Sequence, residues 1–152
     1  MAFKFLVSPI KPSFQFSKWN RFFGKSCSWV EDLETGLQKA RNSKKPAMIV
    51  IHRTLCSACR ALRPKFEESE EITKLSGNFV MISIADDAEP RTVTFAPDGG
   101  YVPRILFYHP EGYVMKEVIN ENGSPQHSYF YSNPESIFES MKKALKLVKV
   151  KD

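Results

Sequence analysis

Apolar and polar residues alternate along the chain with two different periods, which predicts a mixture of helices and strands. The first helical pattern consists of Trp29, Leu33, Leu37 and Ala40. Ser28 and Glu31 have the spacing of a capping box, so we expect this helix to begin there and to end near Asn42. The segment AMIVIH that follows is continuously apolar and has the length of a buried strand.

Two more helices are predicted further along the chain. The segment HRTLCSACRALRPKF places Cys59, Leu62 and Phe66 on one helical face, with Pro64 expected to kink the helix. The last helix should begin with Asn133 as its N-cap and proline in the first turn. Its apolar stripe consists of Ile137, Met141, Ala144, Leu145 and Val148.

Three further segments have the character of strands. They are NFVMISI, PRILFYH and YVMKEVI, the last two joined by the turn residues PEG. Strands separated by a helix pair in parallel, whereas strands joined by a short turn form an antiparallel hairpin. We therefore predict an α/β fold with a mixed central sheet and helices on both faces. A long irregular stretch, ADDAEPRTVTFAPDGGY, interrupts the strands.

The net charge of +5 is concentrated at one end of the chain. Residues 1–30 contain five Lys or Arg and no acidic residue, while the other 122 residues carry 17 basic and 17 acidic side chains. The neutral body argues against nucleic acid as a partner. No apolar run approaches the roughly 20 residues of a membrane span, so we expect none.

This difference in composition places a boundary near Gly24. We predict a basic, acid-free extension over residues 1–24, either disordered or a targeting segment, and one domain over residues 25–152. The lack of acidic residues is also typical of mitochondrial transit peptides, so a mitochondrial location is one alternative for the protein.

The pair Cys56 and Cys59 carries the main chemical signal, and three uses of it are possible. A zinc site normally needs a second pair of ligands, and the remaining cysteine and three histidines are scattered singly. A structural disulfide across so short a loop stabilises a fold very little. Redox chemistry fits better, because a helix N-terminus stabilises a thiolate at Cys56 and the apolar helix face buries Cys59.

The order of strand, Cys-x-x-Cys, helix with a proline, and a later proline before a strand resembles the thioredoxin superfamily. The segments RPKFEESEEITKLSGNFVM, PDGGYVPRILF and INENGSP are similar to the anterior gradient group of endoplasmic reticulum proteins. The resemblance extends from about Trp29 to Val148. It implies a thioredoxin fold and glutathione-linked protein thiol–disulfide oxidoreductase activity in the endoplasmic reticulum lumen.

The resemblance also implies the site residues. It implies that Cys56 is the nucleophile and Cys59 the resolving thiol. It also implies that Pro103 is a cis-proline beside them and that Val102, before it, faces the substrate. Leu55 stands where the group usually has tryptophan. No bound cofactor is implied; the expected partners are glutathione and cysteine-containing protein substrates, and we expect a monomer.

Two features qualify this expectation. Val50 occupies the position at which thioredoxins bury a carboxylate, so that proton acceptor is missing. Some relatives with a single motif cysteine act without redox chemistry, so the alternative function is a non-catalytic chaperone or protein-binding module. The presence of both cysteines favours the enzyme.

Overall fold

The computed structural model describes residues 27–150, and the predicted extension at 1–24 lies outside them. The strands are β1 (Trp29–Val30), β2 (Ala47–His52), β3 (Val80–Ala85), β4 (Arg104–His109) and β5 (Tyr113–Val114). The helices are α1 (Leu33–Ser43), α2 (Ser57–Glu68), α3 (Glu70–Ser76) and α4 (Pro134–Val150). Between β3 and β4 the chain forms two short 3₁₀ turns, Asp86–Ala88 and Val93–Phe95.

The five strands form one mixed sheet in the order β1-β3-β2-β4-β5. Strand β3 pairs in parallel with both β1 and β2, while β4 is antiparallel to β2 and to β5. The parallel pairing across a crossover helix and the antiparallel hairpin are both confirmed. The central strand β2 is buried along its whole length, as expected for a strand covered on both faces.

Helices cover both faces of the sheet, which confirms the predicted architecture. One face packs Met48 and Val50 of β2 in a cluster with residues of α2, α3 and α4. The opposite face packs Ile49 and Ile51 in a cluster with Leu37 and other residues of α1. This separation follows from the two-residue alternation of side chains along a strand.

The start of the first helix differs from the prediction. Asp32, not Ser28, is the N-cap, and its side chain accepts a hydrogen bond from the Thr35 amide at 2.8 Å. Trp29 instead pairs with Met81 in the sheet. An aspartate is at least as good an N-cap as a serine, and strand pairing occupies the residues before it.

Helix α3 was missed by the sequence analysis. Helix α2 continues beyond Pro64 to Glu68, and Ser69 then caps a second helix by accepting from the Ile72 amide at 3.2 Å. The signal was the serine followed by two glutamates, which stabilise a helix N-terminus.

Strand β5 is shorter than the predicted YVMKEVI, for which only Tyr113–Val114 is strand. The other end of β4 is paired by a different segment, because Ile105 donates to the Tyr129 carbonyl at 2.9 Å and Arg104 bridges to Phe130. The late loop therefore takes the place that a longer hairpin would have occupied. At the last helix, the predicted N-cap is confirmed, since Asn133 Oδ1 accepts from the Ser136 amide at 2.9 Å.

Candidate functional site

Cys56 and Cys59 are joined by a disulfide at the N-terminus of α2, with their Cα atoms 5.2 Å apart. Cys56 is the N-cap of this helix, and its sulfur accepts a hydrogen bond from the Cys59 amide at 3.1 Å. Strand β2 ends at His52, so three residues separate the central strand from the redox pair. The local chain path thus places the sulfur of Cys56 at the positive end of a helix.

The two cysteines differ in burial in the direction predicted from the helical pattern. Cys59 is fully buried in the cluster that contains Leu62 and Phe66, whereas Cys56 retains 9% of its surface. Leu55, directly before the pair, is 88% exposed. Cys56 therefore keeps a small exposed fraction next to an exposed apolar side chain, whereas Cys59 has none.

The turn before β4 lies against the disulfide. The Val102–Pro103 peptide bond is cis, and the Val102 carbonyl oxygen lies 3.9 Å from Cys56 Sγ. In the disulfide this sulfur carries no proton, so the approach is a contact and not a hydrogen bond. The prediction that a cis-proline lies beside the pair is confirmed as geometry, since Val102, which precedes it, is 46 residues from Cys56 in sequence. The roles assigned to these residues stay predictions.

Val50, at the position expected to lack the proton acceptor of thioredoxins, lies in β2. Val50 is fully buried in the same cluster as Cys59. Two residues on, and so on the same face of the sheet, His52 Nε2 lies 2.9 Å from Ser83 Oγ. Burial lowers the pKa of His52 to about 4, with only partial opposition from the charge of Asp86. The imidazole is therefore neutral at pH 7.

A carboxylate from the irregular stretch holds the loop that leads to Cys56. Asp86 accepts from the Thr54 amide at 2.8 Å, and the Thr54 hydroxyl donates to its other oxygen. Asp86 has a left-handed backbone conformation with φ of 51°, which aspartate tolerates better than most residues. The sequence analysis did not identify this contact.

A chain of ion pairs lies next to it. Glu89 binds Arg53 through Oε1 at 3.0 Å and Arg104 through Oε2 at 2.8 Å. Burial on its own raises the pKa of Glu89, but the hydrogen bonds and charges of the two arginines outweigh it and hold that pKa below its usual value. The sequence signal was a buried-strand arginine after Pro103, a position where an arginine requires a partner.

These charged residues border a cleft of about 670 Å³, to which the loop before Cys56 contributes Arg53. Its lining residues include Arg53, Asp86, Glu89, Arg91, Val93 and Gly100. The irregular stretch between β3 and β4 forms most of this wall. It therefore lies against Arg53, three residues before Cys56, although the sequence pattern predicted only a loop.

The third cysteine, Cys27, is buried in the same core cluster as Cys59. Across residues 27–150, no group of three or more His, Cys, Asp or Glu side chains has an arrangement that would hold a metal ion. Within that same range, no helix is both long and apolar enough to cross a membrane.

The disulfide at a helix N-terminus opposite a cis-proline, on a mixed five-stranded sheet, defines a thioredoxin-like protein. Residues 28–110 match the family described as Thioredoxin-like, and the chain belongs to this family.

Within that family the chain groups with the anterior gradient proteins. It is 33% identical over 130 residues to anterior gradient protein 3 of Mus musculus, covering 85% of this chain and 78% of that protein. It is 34% identical to anterior gradient protein 2-B of Xenopus laevis, with 86% and 78% covered. The Homo sapiens anterior gradient protein 2 homolog is 33% identical, with 86% and 73% covered.

Solved structures share the fold at low sequence identity. A thioredoxin from Thermus thermophilus superposes with a TM-score of 0.56 at 13% identity, covering 80% of this chain and 88% of that chain. Thioredoxin F from spinach chloroplast gives a TM-score of 0.52 at 17% identity, with 77% and 91% covered.

Proposed function

We propose that the protein is a thiol–disulfide oxidoreductase that acts on cysteine-containing protein substrates through Cys56 and Cys59. The observation that carries the proposal is the placement of this pair. Its outer sulfur caps a helix and contacts the Val102 carbonyl, and its inner sulfur is fully buried. A nucleophile and a resolving thiol need this inequality in exposure.

In the reducing direction, the reaction begins with the dithiol form. The helix N-terminus and the Cys59 amide stabilise the Cys56 thiolate, which attacks a substrate disulfide and releases one substrate sulfur as a thiolate. The Cys59 thiolate then attacks Cys56 in the mixed disulfide. This step releases the second substrate thiolate and forms the Cys56–Cys59 disulfide, so two electrons pass to the substrate.

Two molecules of glutathione would complete the cycle. The first attacks Cys56 to form a mixed disulfide and releases Cys59 as a thiolate, and the second displaces Cys56 while forming glutathione disulfide. The same steps in reverse would oxidise a substrate dithiol. Glutathione acts here as a diffusing reactant, and we propose no bound cofactor.

Substrate contact is assigned to Leu55, Val102 and Pro103. Pro103 has no amide hydrogen, and the Val102 main chain beside Cys56 is suited to pair with an extended substrate segment. The exposed Leu55 offers apolar contact where tryptophan would have offered a larger surface. We expect substrates to be bound as extended segments around a cysteine.

The proposed subcellular location of the protein is the endoplasmic reticulum lumen, with mitochondria as the alternative. The lumen is an oxidising compartment in which exchange of protein disulfides is required. Fractionation of cells that express the full chain tests this assignment. Co-purification with endoplasmic reticulum markers supports it, and co-purification with mitochondria contradicts it.

The activity is tested by equilibrating the protein with defined ratios of reduced and oxidised glutathione. We expect the Cys56–Cys59 pair to titrate as a single two-electron couple and to exchange with a disulfide-containing peptide. Replacing either Cys56 or Cys59 with serine should abolish catalytic turnover. Cys27→Ser is the matched control and should retain exchange.

The alternative function predicts a different result. A non-catalytic chaperone or binding module would bind the same peptide equally well in the wild type and in the Cys56→Ser and Cys59→Ser variants. Absence of exchange combined with retained binding would overturn the proposed activity.

A further inference from the structure

Arg104 is a fully buried arginine whose side chain is held on three sides. Its Nε donates to the Phe95 carbonyl at 2.8 Å and its Nη1 to the Tyr101 carbonyl at 3.0 Å. Its Nη2 pairs with Glu89 at 2.8 Å. A buried charge is costly unless it is fully paired, so these contacts fix the segment around the guanidinium.

The position of Arg104 in the chain gives these contacts a consequence for the site. The residue directly follows Pro103, and it binds the carbonyl of Tyr101, which directly precedes Val102. The Val102–Pro103 turn is therefore held between Tyr101 on one side and Arg104 on the other, and these two residues are hydrogen-bonded to each other.

Arg53 extends the network to the other side of the disulfide. It lies three residues before Cys56 and donates through Nη2 to Glu89 at 3.0 Å and to the Gly100 carbonyl at 3.1 Å. Each oxygen of the Glu89 carboxylate thus receives one arginine. A single glutamate links the loop before the cysteine pair to the turn opposite it.

We infer that Arg53, Glu89 and Arg104 are positioning residues that set the Val102–Pro103 turn against Cys56 for protein substrates. The inference rests on the proposed function and deepens it. A peptide needs both the sulfur and the Val102 main chain in register, whereas a small alkylating reagent needs only the sulfur. Loosening the network should therefore slow exchange with a peptide without changing the intrinsic reactivity of Cys56.

The experiment compares Arg53→Gln and Glu89→Gln with Arg91→Gln as a matched control. Arg53 is suitable because its side chain is 47% exposed, so its replacement should leave the domain folded. Arg91 is an exposed arginine bordering the same cleft, and its replacement removes the same charge. For each variant we would measure kcat/KM for a disulfide-containing peptide and the iodoacetamide alkylation rate of reduced Cys56.

We expect Arg53→Gln to lower kcat/KM for the peptide about fivefold, and Glu89→Gln about tenfold because it weakens both ion pairs. Alkylation rates should stay within about twofold of wild type, as should both readouts for Arg91→Gln. If the wild type is active and all three variants exchange with the peptide at the wild-type rate, this inference alone is overturned. A parallel fall in exchange and alkylation would also overturn it, since the network would then act on Cys56. An inactive wild type would contradict the proposed function, and the inference with it.

Discussion

The two sides of the Cys56–Cys59 disulfide are held by different kinds of interaction. On the helix side, Cys56 caps α2, and Leu62 and Phe66 anchor that helix in the apolar core. On the proline side, the Val102 turn is fixed by hydrogen bonds and ion pairs from residues of the irregular stretch. One side depends on apolar burial and local chain geometry, and the other on paired charges.

This difference separates two properties that the site requires. The helix side determines the position and the exposure of the sulfurs, and therefore their chemistry. The proline side determines where a substrate main chain lies relative to Cys56. Substitutions on the two sides should consequently have different signatures, with stability effects dominating on the helix side.

The largest effect is expected from removing an apolar anchor of the helix side. Leu62→Ala creates a cavity in the core beneath Cys59 and should lower the free energy of unfolding by about 2–5 kcal/mol in urea titration. Leu55→Ala is the matched control, because the same atoms are removed from an exposed position, and it should change stability by about 0.5 kcal/mol or less. Similar losses in both variants would contradict the assigned burial of the helix side.

The next effect comes from His52, the last residue of β2 before the loop that leads to Cys56. Burial lowers its pKa from 6.5 to about 4, so over this range the unfolded chain binds a proton that the folded chain does not. The free energy of unfolding is therefore unaffected by protonation of His52 above pH 6.5. It decreases as the pH falls from 6.5 towards 4, because protonation of His52 stabilises the unfolded chain. We expect a loss of about 2 kcal/mol between pH 7 and pH 5, measured by urea unfolding.

The control for this pH dependence is a second histidine. His52→Asn should flatten the decline between pH 7 and pH 5, whereas replacing the exposed His127 with asparagine should leave it unchanged. An identical slope in the wild type and His52→Asn would show that another group is responsible.

A smaller effect is expected where the irregular stretch holds the loop before Cys56. Asp86→Asn keeps the shape of the side chain, and asparagine also tolerates a left-handed backbone. The substitution removes the negative charge of the carboxylate, whose two oxygens accept hydrogen bonds from Thr54. We expect a loss of about 1 kcal/mol of unfolding free energy. Its neighbour Asp87 is exposed, and Asp87→Asn should cost less; the reverse order would argue against the contact with Thr54.

The sequence predicted the helix side well because its information is local. Strand β2, the cysteine spacing and the face shared by Cys59, Leu62 and Phe66 lie within 20 residues of one another. The cis-proline beside the disulfide was expected only through the resemblance to thioredoxins. The parallel pairing across a helix and the antiparallel hairpin followed from the alternation of strands and helices.

The proline side was not predictable in the same way. The pairing of Glu89 with Arg53 and Arg104 depends on the path of a stretch that has no hydrophobic periodicity, and charged residues there resemble an ordinary solvated loop. The early end of β5 was missed for a related reason. The segment around Phe130 pairs with β4 in place of a longer β5. This pairing joins residues distant in sequence, so no local pattern predicts it.

Trapping the intermediate shows which of the two cysteines is the nucleophile and which is the resolving thiol. Cys59→Ser and Cys56→Ser proteins would each be incubated, after reduction, with a disulfide-containing peptide and examined by intact mass spectrometry. We predict that Cys59→Ser accumulates a mixed disulfide at Cys56, because the resolving thiol has been removed, while Cys56→Ser forms none. Equal adducts in the two variants, or an adduct only in Cys56→Ser, would contradict the assignment of Cys56 as the nucleophile.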